Sequence, residues 1–311
     1  MNPLQTNMLN ALVGAAVALS ALGAAVPARA DAFAQSILVI DNLRLRHANG
    51  TSLTAGDFAQ LTESSVAHAG AQFNGVFAND VQAGRADIAQ QGVGAAARAE
   101  NDFAPFARPA FEDAGYSSAD QNMAGAMIAG ADGGGALLQL RADASLTGAG
   151  AAMANSGLVG ATTFTFELGA DEFMTISFDA LAFTQAFLTD SDGAAIGASA
   201  HLAWSISVRD LSTGATVFTF QPEQLNAMGN VSRSGGLTGA TTYDPGWQSF
   251  AATTGLLTGG DTYQVTIAQS TFASALQSQP MAEPGTLSGI GAGLLAMAAL
   301  SRRRRRARPP A

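Results

Sequence analysis

The chain contains no cysteine and no lysine. Without cysteine there is no disulfide, no thiolate zinc site and no sulfur nucleophile. Without lysine there is no Schiff-base chemistry, and no phosphate-binding loop of the G-x-x-x-x-G-K type, whose lysine must reach the phosphates. Histidine is scarce: His47, His68 and His201 are scattered, and none has a histidine two or four residues away. No G-x-S-x-G elbow and no H-E-x-x-H metal motif occurs. A triad assembled in space needs no local motif, so these absences exclude motif-borne catalysis only. Charged residues make up 13% of the chain, too few for charge-laced helices, while Gly, at 35 residues, favours turns and strands with small side chains.

Charge is unevenly placed. Of the 15 arginines, six lie between Arg302 and Arg308 and one is Arg29, whereas 23 of the 24 acids lie between Asp31 and Met281. The central body is therefore strongly acidic. Such a surface repels phosphate backbones, which argues against nucleic acid as a partner.

The N-terminal run Ala11 to Val26 is apolar, and Pro27 and Ala28-Arg29-Ala30 follow it. This pattern predicts a signal peptide over residues 1–30 with an A-x-A cleavage site at Ala28 and Ala30, and passage through the Sec translocon. Residues Met1 to Asn10 carry no Lys or Arg, a departure from the usual basic start. At the other end, Gly285 to Leu300 has no charge over 16 residues. A helix there would be about 24 Å long, short of the ~30 Å hydrocarbon core, so it predicts a transmembrane helix with local thinning and snorkelling arginines. Arg302, Arg303, Arg304, Arg305 and Arg306 would stay on the cytoplasmic side as the stop-transfer signal.

Glu283-Pro284-Gly285, a Gly/Leu/Ala hydrophobic stretch and a terminal Arg run stand here in that order. This tripartite tail resembles the PEP-CTERM sorting signal of Gram-negative bacteria, with Ala282 in place of the first proline. The resemblance covers residues 281–311. It implies recognition by an exosortase, cleavage near Glu283-Pro284, and delivery to the cell envelope or the exopolysaccharide matrix. A second similarity concerns the subgroup named for Glu-Asp-Ser-Ala-x-Asn, of which Glu112-Asp113 keeps the first two positions.

Between the termini the apolar period is two. Ser36 to Arg46 reads as a strand in which Leu43 and Leu45 alternate with Arg44 and Arg46. From Thr162 onward the same alternation recurs: Phe164, Phe166 and Leu168; Met174, Ile176 and Phe178; Leu202, Trp204, Ile206 and Val208; Tyr263, Val265 and Ile267. Gly/Asp-rich turns separate these runs. One-faced strands at this spacing predict an antiparallel β-sandwich, jelly-roll-like, over residues 31–280, with Trp204, Phe164, Phe166, Phe178 and Ile267 in its core. Between Ala48 and Ala161, Phe58, Leu61 and Val66 suit a helix that Gly70, Gly75, Gly84, Gly92 and Gly94 interrupt. A Gly/Ala-rich, partly helical insertion is expected there.

Few residues carry candidate chemistry. Asp190-x-Asp192-Gly193 has the spacing of oxygen donors to Ca²⁺ but lacks the later ligands and distal glutamate of an EF-hand, and a turn explains it as well. Glu112-Asp113 reads as a solvated loop. His201 reads as an edge residue rather than a ligand. Tyr243 and Trp247 sit in a turn-rich segment and could stack on sugars if exposed, or pack into the sandwich. These observations favour a non-enzymatic, exported structural or adhesive protein with no required cofactor, associated with exopolysaccharide or biofilm. A carbohydrate-binding module and an exported glycan hydrolase are the alternatives. Replacing Glu283 and Pro284 together by alanine is expected to leave the tail attached to the exported protein. Intact-mass analysis of the membrane and medium fractions checks this, and unaltered processing would contradict the sorting reading.

Overall fold

The structure is a computed structural model that describes residues 31–92, 99–106, 115–128, 135–157, 161–189, 195–233 and 238–278. The termini, and with them Ala28, Ala30, the Glu283-Pro284-Gly285 motif, the segments expected to be terminal helices and Arg302 to Arg306, lie outside the described residues. So do Glu112-Asp113, Asp190 and Asp192.

Among the described residues sixteen strands follow in chain order. The first eight are β1 (Ala32–His47), β2 (Phe58–Ser64), β3 (Ala67–Phe73), β4 (Val76–Gln82), β5 (Arg85–Gly92), β6 (Tyr116–Ala126), β7 (Gly135–Leu146) and β8 (Gly150–Ser156). The others are β9 (Ala161–Leu168), β10 (Glu172–Leu188), β11 (Ile196–Asp210), β12 (Thr216–Phe220), β13 (Met228–Arg233), β14 (Gly239–Tyr243), β15 (Trp247–Leu257) and β16 (Thr262–Gln277). Every pairing among them is antiparallel. A seven-stranded sheet runs β10-β1-β7-β6-β5, with β14 and β15 sharing the free edge of β10. A nine-stranded sheet is built on β11 and β16. Strands β12 and β13 share one edge of β11, and the far edge of β16 divides between β9-β2 and β8-β3-β4.

The two sheets pack face to face. One half of the interlayer holds large side chains, including Leu38, Ile40, Phe164, Phe166, Phe178, Trp204 and Ile267. All five core residues expected from the alternation are buried. Phe178 lies against Trp204 at a ring-centroid separation of 4.5 Å, and Phe166 stacks on both Phe164 and Tyr263. The other half is filled mainly by alanine: Ala67, Ala69 and Ala71 of β3, Ala142 and Ala144 of β7, Ala152 and Ala154 of β8, Ala198 and Ala200 of β11. There the facing strands β3 and β6, and β7 and β8, bring Cα atoms within 8 Å of each other. Ordinary sheet packing is about 10 Å, so methyl groups suffice to fill the gap.

This alanine half corrects the expected helical insertion. Between 48 and 161 the described residues form strands β2 to β8 and the start of β9, joined by turns and by the segment 99–106, and their one helical element is a 3₁₀ turn at Ala55–Asp57. Phe58 and Leu61 belong to β2, not to a helix, and Val66 falls just before β3. Alanine is the best helix former by intrinsic propensity, yet here it recurs at period two and faces a second sheet. Two of the interrupting glycines are turn residues. Asn74 and Gly75 both have positive φ, 48° and 84°, as the two central positions of a tight β3–β4 hairpin require. Gly84, with φ 75°, turns the chain from β4 into β5.

The strand read over Ser36 to Arg46 is present and longer, and it carries the main irregularity. Asp41 pairs with Asp179 and Arg44 with Ser177, so β1 has one residue more than β10 between these pairs. Asn42 takes up the surplus with φ 54°, a conformation asparagine tolerates better than most residues. Before this bulge the even-numbered residues face the other sheet; after it Leu43 and Leu45 do, and Arg44 and Arg46 face outward. Replacing Asn42 by valine, a β-branched residue that resists the φ of 54° the bulge requires, is expected to cost about 1–3 kcal/mol. Denaturant unfolding checks this, and a variant as stable as the parent would overturn the account.

Candidate functional site

The bulge shapes a mixed aromatic and charged surface. On the outer face of the seven-stranded sheet, β1, β10 and β15 run side by side, and their outward side chains fall into rows. Leu181 pairs with Trp247 in the first row. Asp41, Asp179 and Ser249 form the second. Arg44, Ser177 and Ala251 form the third, and Arg46, Thr175 and Thr253 the fourth. Two contiguous shallow depressions lie across these rows. One of about 290 Å³ is lined by Asp41, Asp179, Trp247, Gln248 and Ser249. The other, of about 470 Å³, includes Asn42, Arg44, Arg46 and Ser177 and shares Asp179 and Ser249 with the first.

Trp247 is 57% exposed, an unusual state for an indole. Below it, the carboxylates of Asp41 and Asp179 stand directly opposite each other, an arrangement that costs stability between like charges. Their partners are neutral. The Asn42 backbone N–H donates to Asp41 Oδ1 at 2.8 Å, and the Asn42 side-chain amide donates to Asp41 Oδ2 at 3.3 Å. Ser249 Oγ donates to Asp179 Oδ1 at 2.5 Å. The arginines also rest on neutral acceptors. Arg44 Nη2 donates to Asn42 Oδ1 at 3.3 Å, and its buried Nε has no partner. Arg46 Nε donates to Ser177 Oγ at 3.0 Å and Nη1 to the Gly50 carbonyl at 3.1 Å. Carboxylates with free lone pairs, two guanidinium groups and an exposed ring can together bind a polyhydroxylated chain.

Of the two aromatics expected to contact sugar, only Trp247 is in this groove. Tyr243 is half-buried, packs against the large-residue core and donates its hydroxyl to the Gln224 carbonyl at 3.0 Å. Burial pushes its pKa up, and the nearby Glu223 charge adds to the shift. Asp41, Asp179, Asn42, Arg44, Arg46 and Ser249 come from three separate segments, so no local motif announces them. Their one sequence trace is polar residues at outward positions of otherwise apolar strands.

The histidines are dispersed in space as well. His47 contacts the Glu172 carboxylate through Nδ1, and its Nε2 lies 3.5 Å from Asp57 Oδ2. The Thr54 backbone N–H and hydroxyl hold Asp57 and lower its pKa. His68 lines a depression on the opposite sheet with Phe77 and Asn155, and burial lowers its pKa. His201 is not on an edge strand; β11 is paired on both sides at that point, with Met228 and Phe272. Among the described residues no group of three or more His, Asp or Glu is placed to hold a metal ion.

A second polar cluster lies farther along the same outer face, beneath residues 99–106. Gln35 Nε2 donates to Asp143 Oδ1 at 2.7 Å, and Arg141 pairs with the other oxygen of Asp143. Arg141 Nη1 donates to the Asp102 carbonyl at 2.7 Å, the Phe106 N–H to Gln35 Oε1 at 3.0 Å, and the Asn101 N–H to Asp120 Oδ2 at 2.8 Å. Phe103 closes an apolar patch with Ile37, Val39 and Phe183. The segment is thus pinned across the sheet, and the cluster is a fastening rather than an open site. Burial pushes the Asp120 carboxyl up to about 6, helped by Glu100 and opposed by the Asn101 N–H and by Arg141. Because the folded pKa is above the unfolded one, the protonated form favours folding. That contribution is full below about pH 4 and is lost as pH rises through 6. Asp120→Asn keeps an acceptor for the Asn101 N–H and is expected to raise stability above pH 7 by about 1–2 kcal/mol while flattening the pH dependence between 4 and 7. Thermal melts across that range check this.

No protein-family model matches this chain, and no curated protein or solved structure matches it either.

Proposed function

We propose that this is an exported envelope or matrix protein that holds extracellular polysaccharide in the groove headed by Trp247, as a binder and not as an enzyme. The observation that carries this reading is the exposed indole standing over a row of polar side chains on a three-stranded, rigid face. An indole presents a flat apolar surface that matches the C–H face of a pyranose ring, and burying it on binding is favourable. Carboxylates such as Asp41 and Asp179 accept bonds from adjacent sugar hydroxyls, and charged acceptors bond more strongly than neutral ones. The groove is shallow and open, so a long chain can run through it without presenting an end.

The terminal segments fit this role. A signal peptide and an exosortase-processed tail would carry the acidic body across the inner membrane and release it into the envelope or matrix. The sandwich is read as jelly-roll-like because the chain crosses repeatedly between the sheets, a construction well suited to presenting a flat face.

A glycan hydrolase is the second reading, favoured by the direct opposition of Asp41 and Asp179. Opposed strand residues place carboxyl groups near the ~5 Å separation of a retaining glycosidase. One experiment separates the two. The full chain is screened against an array of polysaccharides, and each bound glycan is re-examined by mass after incubation. Binding without shortening is expected, and Trp247→Ala is expected to weaken it at least about tenfold. Because Trp247 is exposed, that variant should keep its stability to within about 0.5 kcal/mol. Shortened products would replace the binding reading with hydrolysis, and an array without a bound glycan would overturn both.

A further inference from the structure

The order of the rows points to the class of polysaccharide, and this inference rests on the glycan reading above. We propose that the groove takes a sparsely acidic glycan, in which a neutral sugar sits at Trp247 and the acid row while Arg44 and Arg46 read the carboxylate of a neighbouring acidic sugar.

Three observations support it. First, neither Arg44 nor Arg46 is ion-paired with any described residue, although the body carries 23 acids between Asp31 and Met281 and only eight arginines. In such an excess of acid, these two adjacent guanidinium groups rest on the neutral Asn42, Ser177 and Gly50 and bond to no described carboxylate. Both guanidinium-bearing side chains line the larger depression. A guanidinium fork matches a carboxylate in two parallel bonds, which a single hydroxyl does not provide.

Second, the charges are separated along the groove. From Leu181, beside Trp247, to Ser177, beside Arg44, the strand advances four residues, about 14 Å. The acid row lies between them. An acidic group at the Trp247 end would stand directly over Asp41 and Asp179, whereas one at the far end stands over the arginines and the uncharged Ser177, Thr175, Ala251 and Thr253, with the acid row about 7 Å away. The groove therefore discriminates by position as well as by charge.

Third, the body as a whole is acidic, and a uniformly charged polyanion would be repelled by it over a distance of about one Debye length. Local arginines and a repelling surround select a chain that is acidic at intervals, not at every residue.

The test uses the full chain and three probes: a hyaluronan hexasaccharide, which alternates a neutral N-acetyl sugar with glucuronate; the same hexasaccharide with its carboxyl groups reduced to alcohols; and a uniformly acidic oligogalacturonate. The alternating acid is expected to bind about tenfold tighter than its reduced form and tighter than the oligogalacturonate. Its advantage over the reduced form is expected to shrink as salt is raised. Arg44→Gln with Arg46→Gln should abolish that advantage and leave binding of the reduced form intact. Arg44→Lys with Arg46→Lys, which keeps charge but loses the fork, should retain part of it. Trp247→Ala should weaken both forms alike. If the acid and its reduced form bind equally at every salt concentration, the acidic class is overturned while the glycan reading survives. If the oligogalacturonate binds best, the spaced-charge arrangement is overturned. If none of the three binds while neutral glycans on the array do, the inference again fails and the groove remains a neutral-sugar site.

Discussion

Strand β1 lies between β10 and β7, and from Ala32 to Ile40 both its faces are buried. Every side chain there has to suit one of two enclosed environments. The alternation can be broken only where one face returns to solvent, and the bulge at Asn42 stands at that point. Upstream, the outward residues Ile37 and Val39 lie under Phe103. Downstream, the outward residues are Arg44 and Arg46. Shifting the pairing by one residue exchanges the two faces of a strand. One asparagine in the left-handed region therefore lets the same strand serve a covered apolar patch and an open charged groove.

The interlayer shows a related economy. The half of the interlayer between β3 and β6 and between β7 and β8 is filled by alanine, and the other half by Trp204, Phe178 and their neighbours. Small side chains lose little conformational entropy on burial, which offsets their small transfer energy. On the outer face, residues 99–106 are held by an apolar plug and by a buried polar cluster. Arg141 and Asp143 are fully buried there, and Gln35 and the Asp102 carbonyl meet part of the pair's remaining bonding capacity, while Arg141 Nη2 has no partner. Asp120 is less fully compensated, which is why its proton is held so tightly.

Much of the sandwich was legible in the alternation from Thr162 to Ile267, because large apolar residues at period two leave no helical alternative. The described residues between 48 and 161 form strands where a partly helical insertion is expected, for a physical reason. Alanine and glycine carry little hydrophobic contrast, and their packing value depends on a partner sheet that the local sequence does not show. Two signals were nevertheless present: the Asn74-Gly75 dipeptide, which favours a tight hairpin, and the Ala-x-Ala-x-Ala run at Ala67, Ala69 and Ala71. Of the groove, Trp247 was picked out as an aromatic in a turn-rich segment. Tyr243 looked equivalent in sequence but is held by core packing and its bond to Gln224.

The sequence by itself determined the acidic body, the absence of thiol and lysine chemistry, the character of its termini and the core of the second half of the chain. Those properties depend on residue type and on spacing within a single segment. The tertiary structure decided the partners of β1, the alanine-filled half, the fastening of residues 99–106 and the rows of the groove. Each of those needs residues from separate strands in register. Asp41, Asp179 and Ser249 stand side by side only because β1, β10 and β15 pair at those positions. Register between distant segments is set by the burial of whole faces and not by any local run of residues.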